Sequence, residues 1–361
     1  MGTKTASNAS RWLFLDAIRG IAALAVVLQH VLWYQSSKFE TVFATIWSPG
    51  RFGVVAFFLV SGFIVPQSLE HRGDIKAFWI SRFYRLFPPY WFSLLFIGLL
   101  PLAGLPALTG VNLNSPKDWI ANLTMLQGFA RVPDINPVAW TLGLEMVLYL
   151  AITFAFSKGF LRRTWFISMS LVCLIAAGSI LLPTVLHIRF PAGAAAVFGS
   201  IVAGLALFRW FTGDLKKVEG LIITGACIAV TIASSVVNYS PVRLTTDLLQ
   251  PTQFCAIFSA ITGYAFFLGM LKFRNLAFPS WTLWLGKVSY SLYLLHPIAL
   301  ALIPHSSGLA SIPLQIGLSL VLAWFGYECI EVPSIAMARK RLSRKVLRIT
   351  PAQEPARTEA A

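Results

Sequence analysis

Apolar runs of about 20 residues recur along the whole chain, the length a helix rising 1.5 Å per residue needs to cross the hydrocarbon core of a bilayer. Ten are present, near residues 15–34, 52–69, 86–106, 138–156, 164–182, 192–210, 218–237, 252–271, 284–303 and 310–330. The spacing predicts an all-α integral membrane protein with about ten transmembrane helices in one polytopic bundle. Composition agrees where it bears on the point. The 361 residues are 57% hydrophobic and 12% charged, against about 25% charged in a soluble domain. This excludes a disordered chain, a fibrous one and an ordinary soluble enzyme. The first run is too long for a cleaved signal peptide, contains Asp16 and Arg19, and is followed by no A-x-A site.

The charge that remains is lopsided, with 29 Lys and Arg against 14 Asp and Glu, for a net of +15. In a soluble protein that surplus suggests a nucleic-acid partner; in a membrane protein it reports sidedness, and no nucleic acid is expected. An even number of spans puts both termini on one side. The basic stretch from Arg339-Lys340-Arg341 to Arg348 makes that side cytoplasmic. Segments 1–14, 70–85, 157–163, 209–217, 272–287 and 331–361 then hold 22 basic residues, and the other face holds six: Lys38, Arg51, Lys117, Arg131, Arg189 and Arg243. Arg19 is left inside a span. Three regions are expected: a polar N-terminal tail over 1–10, a transmembrane domain over 11–335, and a basic, disordered cytoplasmic tail over 336–361. One outer loop is sizeable, near 107–137, with Asn112-Leu113-Asn114, Asp118 and Asp134, and with Pro133 and Pro137 bracketing its exit. Cys173, Cys227, Cys255 and Cys329 have no metal or pairing spacing and sit in apolar runs as packing residues. No metal site is expected.

A charge in mid-bilayer costs about 3 kcal/mol on insertion scales, so each one needs a reason. The first helix carries Asp16, Arg19, Gln29 and His30. Arg19 and His30 are 11 residues apart, close to three turns, so they share a face about 16 Å apart. Asp16 is placed to pair with Arg19. This set reads as a polar seam between helices or as a catalytic channel with His30 at its outer end. Glu145, five residues after Trp140, is expected at the depth of His30, where a carboxylate orients a histidine base. Arg82 and Arg85 are a turn apart before the third helix and, with Arg72 and Lys76, form a patch that obeys the positive-inside rule and suits phosphates. Ser61-Gly62-Phe63 interrupts the second helix before Pro66, as small residues do where helices pack closely. In the ninth helix Ser289, Tyr293 and Pro297 recur every four residues, and His296 lies well inside the membrane. Glu328 and Glu331, a turn apart, are expected at the cytoplasmic surface as ion-pair partners. His71, His187 and His305 are expected to be solvated.

Taken in order, these motifs resemble the membrane-bound acyltransferase family 3. The resemblance rests on Leu15-Asp16-x-x-Arg19-Gly20-Ile21-Ala22-Ala23 ending in His30, on Phe57 to Phe63, and on Arg82-x-x-Arg85-x-x-Pro88. It continues with Trp140-Thr141-Leu142-x-x-Glu145, Ser289-Tyr290-x-x-Tyr293-Leu294-x-His296-Pro297 and Tyr327-Glu328-x-x-Glu331-x-Pro333. It covers about residues 11–340, without the fused hydrolase-like domain of some members. The resemblance implies transfer of an acyl group, usually acetyl, from cytoplasmic acyl-CoA to a hydroxyl of a saccharide or glycosylated acceptor, in a bacterial inner membrane. It implies no permanently bound cofactor, acetyl-CoA or another acyl-CoA being the donor substrate. His30 matches the family's catalytic histidine, as base or acyl carrier. Arg19, Arg82 and Arg85 match its functional arginines, and Ser61-Gly62-Phe63 matches a motif at the inner, acyl-CoA cavity.

The residues agree with that chemistry. A hydroxyl acceptor needs a base, which histidine provides, and phosphates suit bidentate arginines. The oxyanion formed on the thioester needs donors; Arg19, Tyr290, Tyr293 or backbone near Pro297 are the candidates, with His296 beside them. A transporter or exporter of a small solute or acyl group is the alternative reading of ten helices with intramembrane Arg, Glu and His. The chain shows no inverted repeat and no matched pair of Gly/Pro-broken helices to favour it. A scaffold or receptor leaves the buried charges without a reason.

Overall fold

The protein is described from a computed structural model, covering residues 12–33, 35–105, 115–187, 193–242, 251–303 and 305–349. The 1–10 tail, Asn112-Leu113-Asn114, Arg189, Arg243, the side chain of His305 and residues from 350 onward lie outside the described residues.

In chain order the helices are α1 (Leu13–Trp33), α2 (Ser37–Thr45), α3 (Pro49–Arg72), α4 (Ile75–Leu99), α5 (Pro116–Leu123), α6 (Trp140–Ser157) and α7 (Thr164–Ala176). A π-helical turn, Ala177–Leu181, carries α7 into α8 (Leu182–Val185). Then follow α9 (Ala194–Thr212), α10 (Lys217–Asn238), α11 (Gln253–Lys272), α12 (Ser280–Leu302) and α13 (Ser311–Gly326). A second π turn, Tyr327–Glu331, leads into α14 (Val332–Ile349). The chain is an all-α polytopic membrane protein. Among the described residues nine helical segments are long and apolar enough to cross a bilayer: α1, α3, α6, Thr164–Val185, α9, α10, α11, α12 and Gly308–Ser343. The tenth expected span, 86–106, is a correction of degree. Its helix α4 begins earlier, at Ile75, and ends at Leu99, and its 25 residues are long enough. Lys76, Arg82, Arg85 and Pro88-Pro89 in its first part keep it more polar than the rest.

Helix ends follow local chemistry. Gly73, in the left-handed region at φ 65°, stops α3, and the Asp74 side chain accepts from Ala77 N at 3.1 Å to start α4. Ser48 caps α3 ahead of Pro49, its hydroxyl accepting from Arg51 N. Ser36 and Ser115 cap the short helices α2 and α5 in the same way. The expected disordered tail from 336 is also corrected, since α14 runs to Ile349. Its Ala, Met, Leu, Arg and Lys are strong helix formers, with neither Gly nor Pro after Pro333.

Helices α3, α9 and α12 are the most enclosed, with α1 between α3 and α12; Thr164–Val185 is mostly lipid-facing. Close approach is set by missing side chains. A Cβ on Gly62 would stand 2.1 Å from the Ile201 carbonyl oxygen, and one on Gly286 would stand 2.2 Å from that of Asp16. So α3 presses on α9 and α12 presses on α1, as small residues allow in membranes. Buried Arg209 of α9 donates to Glu70 of α3 and to Asp214, an ion pair that pins two central helices at one end.

The stretch between α5 and α6 is clasped onto the bundle. Asn122 donates to the Asp118 and Pro133 carbonyls and accepts from Ile135 N. Asn136, fully buried, donates to Ser93 Oγ and to the Leu294 carbonyl, both at 3.0 Å. These bonds place Val138 and Thr141 against α12.

Candidate active site

Two cavities open between the central helices. One, of about 280 Å³, is lined by Gln29, His30, Arg51, Trp140, Tyr239 and Tyr293 among others. The second, of about 260 Å³, is lined by Arg19, Ser61, Ser68, Arg72, Arg82, Arg85, Glu145, Tyr149 and Tyr290. A neck of about 30 Å³ stands between them. It shares Val26, Val54 and Tyr293 with the first cavity and Phe57, Glu145 and Tyr290 with the second. The three-turn spacing in α1 is what puts Arg19 in one cavity and His30 in the other.

The imidazole of His30 is oriented by its own helix. Nδ1–H donates to the Val26 carbonyl at 2.9 Å, which assigns the proton to Nδ1 and leaves Nε2, with no partner among the described residues, as the basic nitrogen. The neighbouring ring is His296, its centroid 5.1 Å away. His296 is fully buried; its Nδ1–H meets the Leu292 carbonyl at 3.2 Å, and its Nε2 has no protein partner. Pro297 removes the amide that would bond the Tyr293 carbonyl. A carbonyl freed by proline is an acceptor, so the backbone there supplies no oxyanion donor.

The tyrosine hydroxyls are engaged. Tyr290 donates to the Leu86 carbonyl at 2.8 Å, and Tyr293 donates to the Val138 carbonyl at 2.8 Å while Thr141 Oγ1 lies 2.8 Å from its oxygen. Both ring faces line cavity or neck, but each hydroxyl hydrogen is committed. Of the expected oxyanion donors, Arg19 lines the cavity, its guanidinium carbon 5.8 Å from the centroid of the Phe57 ring.

Glu145 is placed differently from the expectation. Its carboxylate accepts from the Tyr149 hydroxyl and lines the arginine cavity and the neck, while His30 lines the other cavity. Five residues of α6 carry it about 7.5 Å down from Trp140, past the depth of His30, and the neighbour of His30 is His296. Arg82 donates to Ser68 Oγ at 3.1 Å and packs over the Phe78 and Tyr149 rings at 5.1 and 5.4 Å. Within Ser61-Gly62-Phe63 only Ser61 reaches the cavity. Gly62 is pressed on α9, and Phe63 is buried among Trp12, Phe14, Phe208 and Phe267. The motif's last two residues are therefore packing residues.

Glu331 is a second correction. It is buried, not at a surface, and accepts from Ser291 Oγ at 3.1 Å. The positive charges acting on it are Arg85 and Arg19. The π turn at Tyr327–Glu331 separates it from exposed Glu328. His71 and His187 are exposed, as expected. Arg51, Tyr239, Ser68, Tyr149 and Asn136 are site or supporting residues that sequence reasoning did not single out. Only Arg51 left a signal, as one of six basic residues on its face.

The fold and its paired cavities define a class: a multi-pass helical membrane protein with an arginine-lined chamber on one side of a narrow neck and a histidine chamber on the other. The chain belongs to the acyltransferase 3 family, whose acyltransferase domain matches residues 12–327. It is 27% identical over 238 residues to Acyltransferase MdmB of Streptomyces mycarofaciens, covering 62% of this chain and 58% of that protein. It is 28% identical over 141 residues to Nodulation protein 10 of Rhizobium leguminosarum bv. viciae, covering 35% and 37%. The chain thus spans less than two thirds of the length of these relatives. No solved structure matches it.

Proposed function

We propose that the protein is an integral-membrane O-acyltransferase. It moves an acyl group, acetyl foremost, from acyl-CoA in the arginine cavity to a hydroxyl of a saccharide or glycosylated acceptor in the His30 cavity. The observation that carries the reading is the division of labour across the neck: four arginines on one side, a histidine with a free Nε2 on the other. The surplus of positive charge fits CoA phosphates, which bidentate guanidinium groups bind well. The arginine cavity then faces the cytoplasm, both termini are cytoplasmic, and the setting is a bacterial inner membrane.

His30 Nε2 accepts the proton of the acceptor hydroxyl, and the oxygen attacks the thioester carbon. The carbon–sulfur bond breaks, and the CoA thiolate leaves and takes up the proton from the imidazolium. Arg19 is the donor placed to meet negative charge on the thioester oxygen.

The test is transfer of labelled acetyl from acetyl-CoA to a membrane glycan fraction by the purified protein. His30→Ala lowers transfer by about 10²–10⁴-fold, the size of a general-base contribution, with acetyl-CoA binding unchanged. Undiminished transfer removes His30 from the mechanism. Solute counterflow without release of free CoA replaces the transferase with a transporter.

A further inference from the structure

The His30 cavity holds a cation that the transfer chemistry does not use. Arg51 stands in the first turn of α3 and lines this cavity. Its Nη1 donates to the Tyr239 hydroxyl at 2.8 Å, and its guanidinium carbon lies 5.1 Å from the centroid of that ring. A guanidinium has five N–H donors, and this contact occupies one of its nitrogens. Among the described residues no carboxylate is in ion-pair reach of Arg51, and none lines the cavity. The backbone makes room for the pair at Gly193, where φ is +90°. A Cβ there would stand 3.3 Å from the Tyr239 hydroxyl and 3.6 Å from Arg51 Nη1.

Gln29, the residue before His30, adds donors to the same wall. Its Oε1 accepts from Ser48 Oγ at 2.6 Å and from Gly50 N at 2.7 Å. Two donors on one oxygen fix which way the amide points and leave the Nε2 hydrogens for the cavity. The bond to Gly50 also ties the residue before Arg51 to the residue before His30, and guanidinium and imidazole line the same cavity. Trp140, half exposed, supplies an apolar ring face to the same space.

A guanidinium with no carboxylate partner among the described residues, beside the Gln29 amide, is a receptor for an anionic oxygen, because its fork matches carboxylate and phosphate geometry. We propose that the acceptor carries an anionic oxygen, of a carboxylate or a phosphate, close to the hydroxyl that is acylated, and that Arg51 with Gln29 holds it. This rests on the reading of the His30 cavity as the acceptor site. Acylation then occurs on sugars bearing an acid or phosphoryl group, and a neutral glycan is a poor acceptor.

The experiment compares three probes on the full-length protein in a nonionic detergent: methyl glucuronide, glucose 1-phosphate and neutral methyl glucoside. Binding is read from the intrinsic fluorescence change expected of Trp140. At least one anionic probe should bind about tenfold or more tightly than the glucoside, the scale of a charge-assisted hydrogen bond. Arg51→Gln should abolish that preference, and Arg51→Lys, a point charge without the fork, should keep part of it. Preference for the glucuronide alone assigns a uronate, and preference for the phosphate alone assigns a phosphorylated sugar. Equal binding of neutral and anionic probes, no binding of either anionic probe, or an unchanged preference in Arg51→Gln overturns the proposal. Acetyl-CoA binding, measured alongside, reports that the variants are folded. If Arg51→Gln loses it, the comparison is decided on the wild type and Arg51→Lys. A wild type that selects anionic glycosides but does not bind acetyl-CoA keeps the anion site and discards the transferase reading.

Discussion

His296 costs the bundle stability, and that cost is measurable. Its ring is fully enclosed, and Nε2 has no protein partner. A buried polar atom left unpaired costs about 1–3 kcal/mol. His296→Leu is therefore expected to raise the midpoint of thermal unfolding in detergent. A lowered midpoint would show that Nε2 is satisfied in the folded protein. Asp134, in the loop that approaches α6, gives a pH-dependent counterpart. Burial pushes its carboxyl above the usual range, and the donor from Gln127 pulls it only partly back. A carboxyl raised on folding holds its proton more tightly in the folded state. Stability therefore rises as pH falls into the carboxylate range and is lost above the raised value. The midpoint of wild type relative to Asp134→Asn should therefore increase as pH is lowered from neutrality toward the ordinary carboxylate range of about 4. Identical pH curves would remove Asp134 as the cause.

At the scale of the element, α3 shows what a linear motif conceals. Ser61-Gly62-Phe63 reads as one functional unit, yet a helix turns 100° per residue. Ser61 faces a cavity while Gly62 and Phe63 face α9 and the aromatic core. Gly62→Val is expected to lower stability by about 1–3 kcal/mol or more, the cost of overpacking, read as a fall in unfolding midpoint. A raised KM for acetyl-CoA at unchanged midpoint would instead make Gly62 a donor-site residue. The apolar runs made nine of the spans legible because length and hydropathy alone decide them. Helix α4 was legible as the apolar run at 86–106, but its start at Ile75 was not, because Lys76, Arg82 and Arg85 make that part polar. The neighbour of Glu145 was not legible. Sequence gives a residue's depth along its own helix, whereas the partner depends on how α6 is set against α1, α3 and α12. The same holds for Glu331, whose burial follows from a π turn that no sequence period announces. The Arg51–Tyr239 pair joins residues 188 positions apart and becomes visible only once α3 and α10 are packed.

At the scale of the molecule, the two chambers and the neck form an hourglass within the helical bundle. The waist is lined mainly by Ala22, Ala23, Val26, Gly53, Val54, Phe57, Phe58 and Leu142, and its 30 Å³ is room for about two water-sized spheres. Thr141, Glu145, Tyr290 and Tyr293 complete the lining, and the apolar part of a constriction this narrow hinders water and ions. The consequence reaches beyond catalysis. On the proposed reading, in which the chambers open to opposite faces, a cell that stores energy as a proton gradient needs the path sealed between turnovers, and the apolar part of the waist is placed to be that seal. Widening it by Leu142→Ala with Phe58→Ala should make proteoliposomes leak protons, seen as faster decay of an imposed pH gradient by an entrapped dye. Unchanged decay would place the barrier elsewhere along the path. In the proposed transferase the neck then doubles as electrical insulation, which limits how far it can widen for bulkier donors before the membrane's charge is lost.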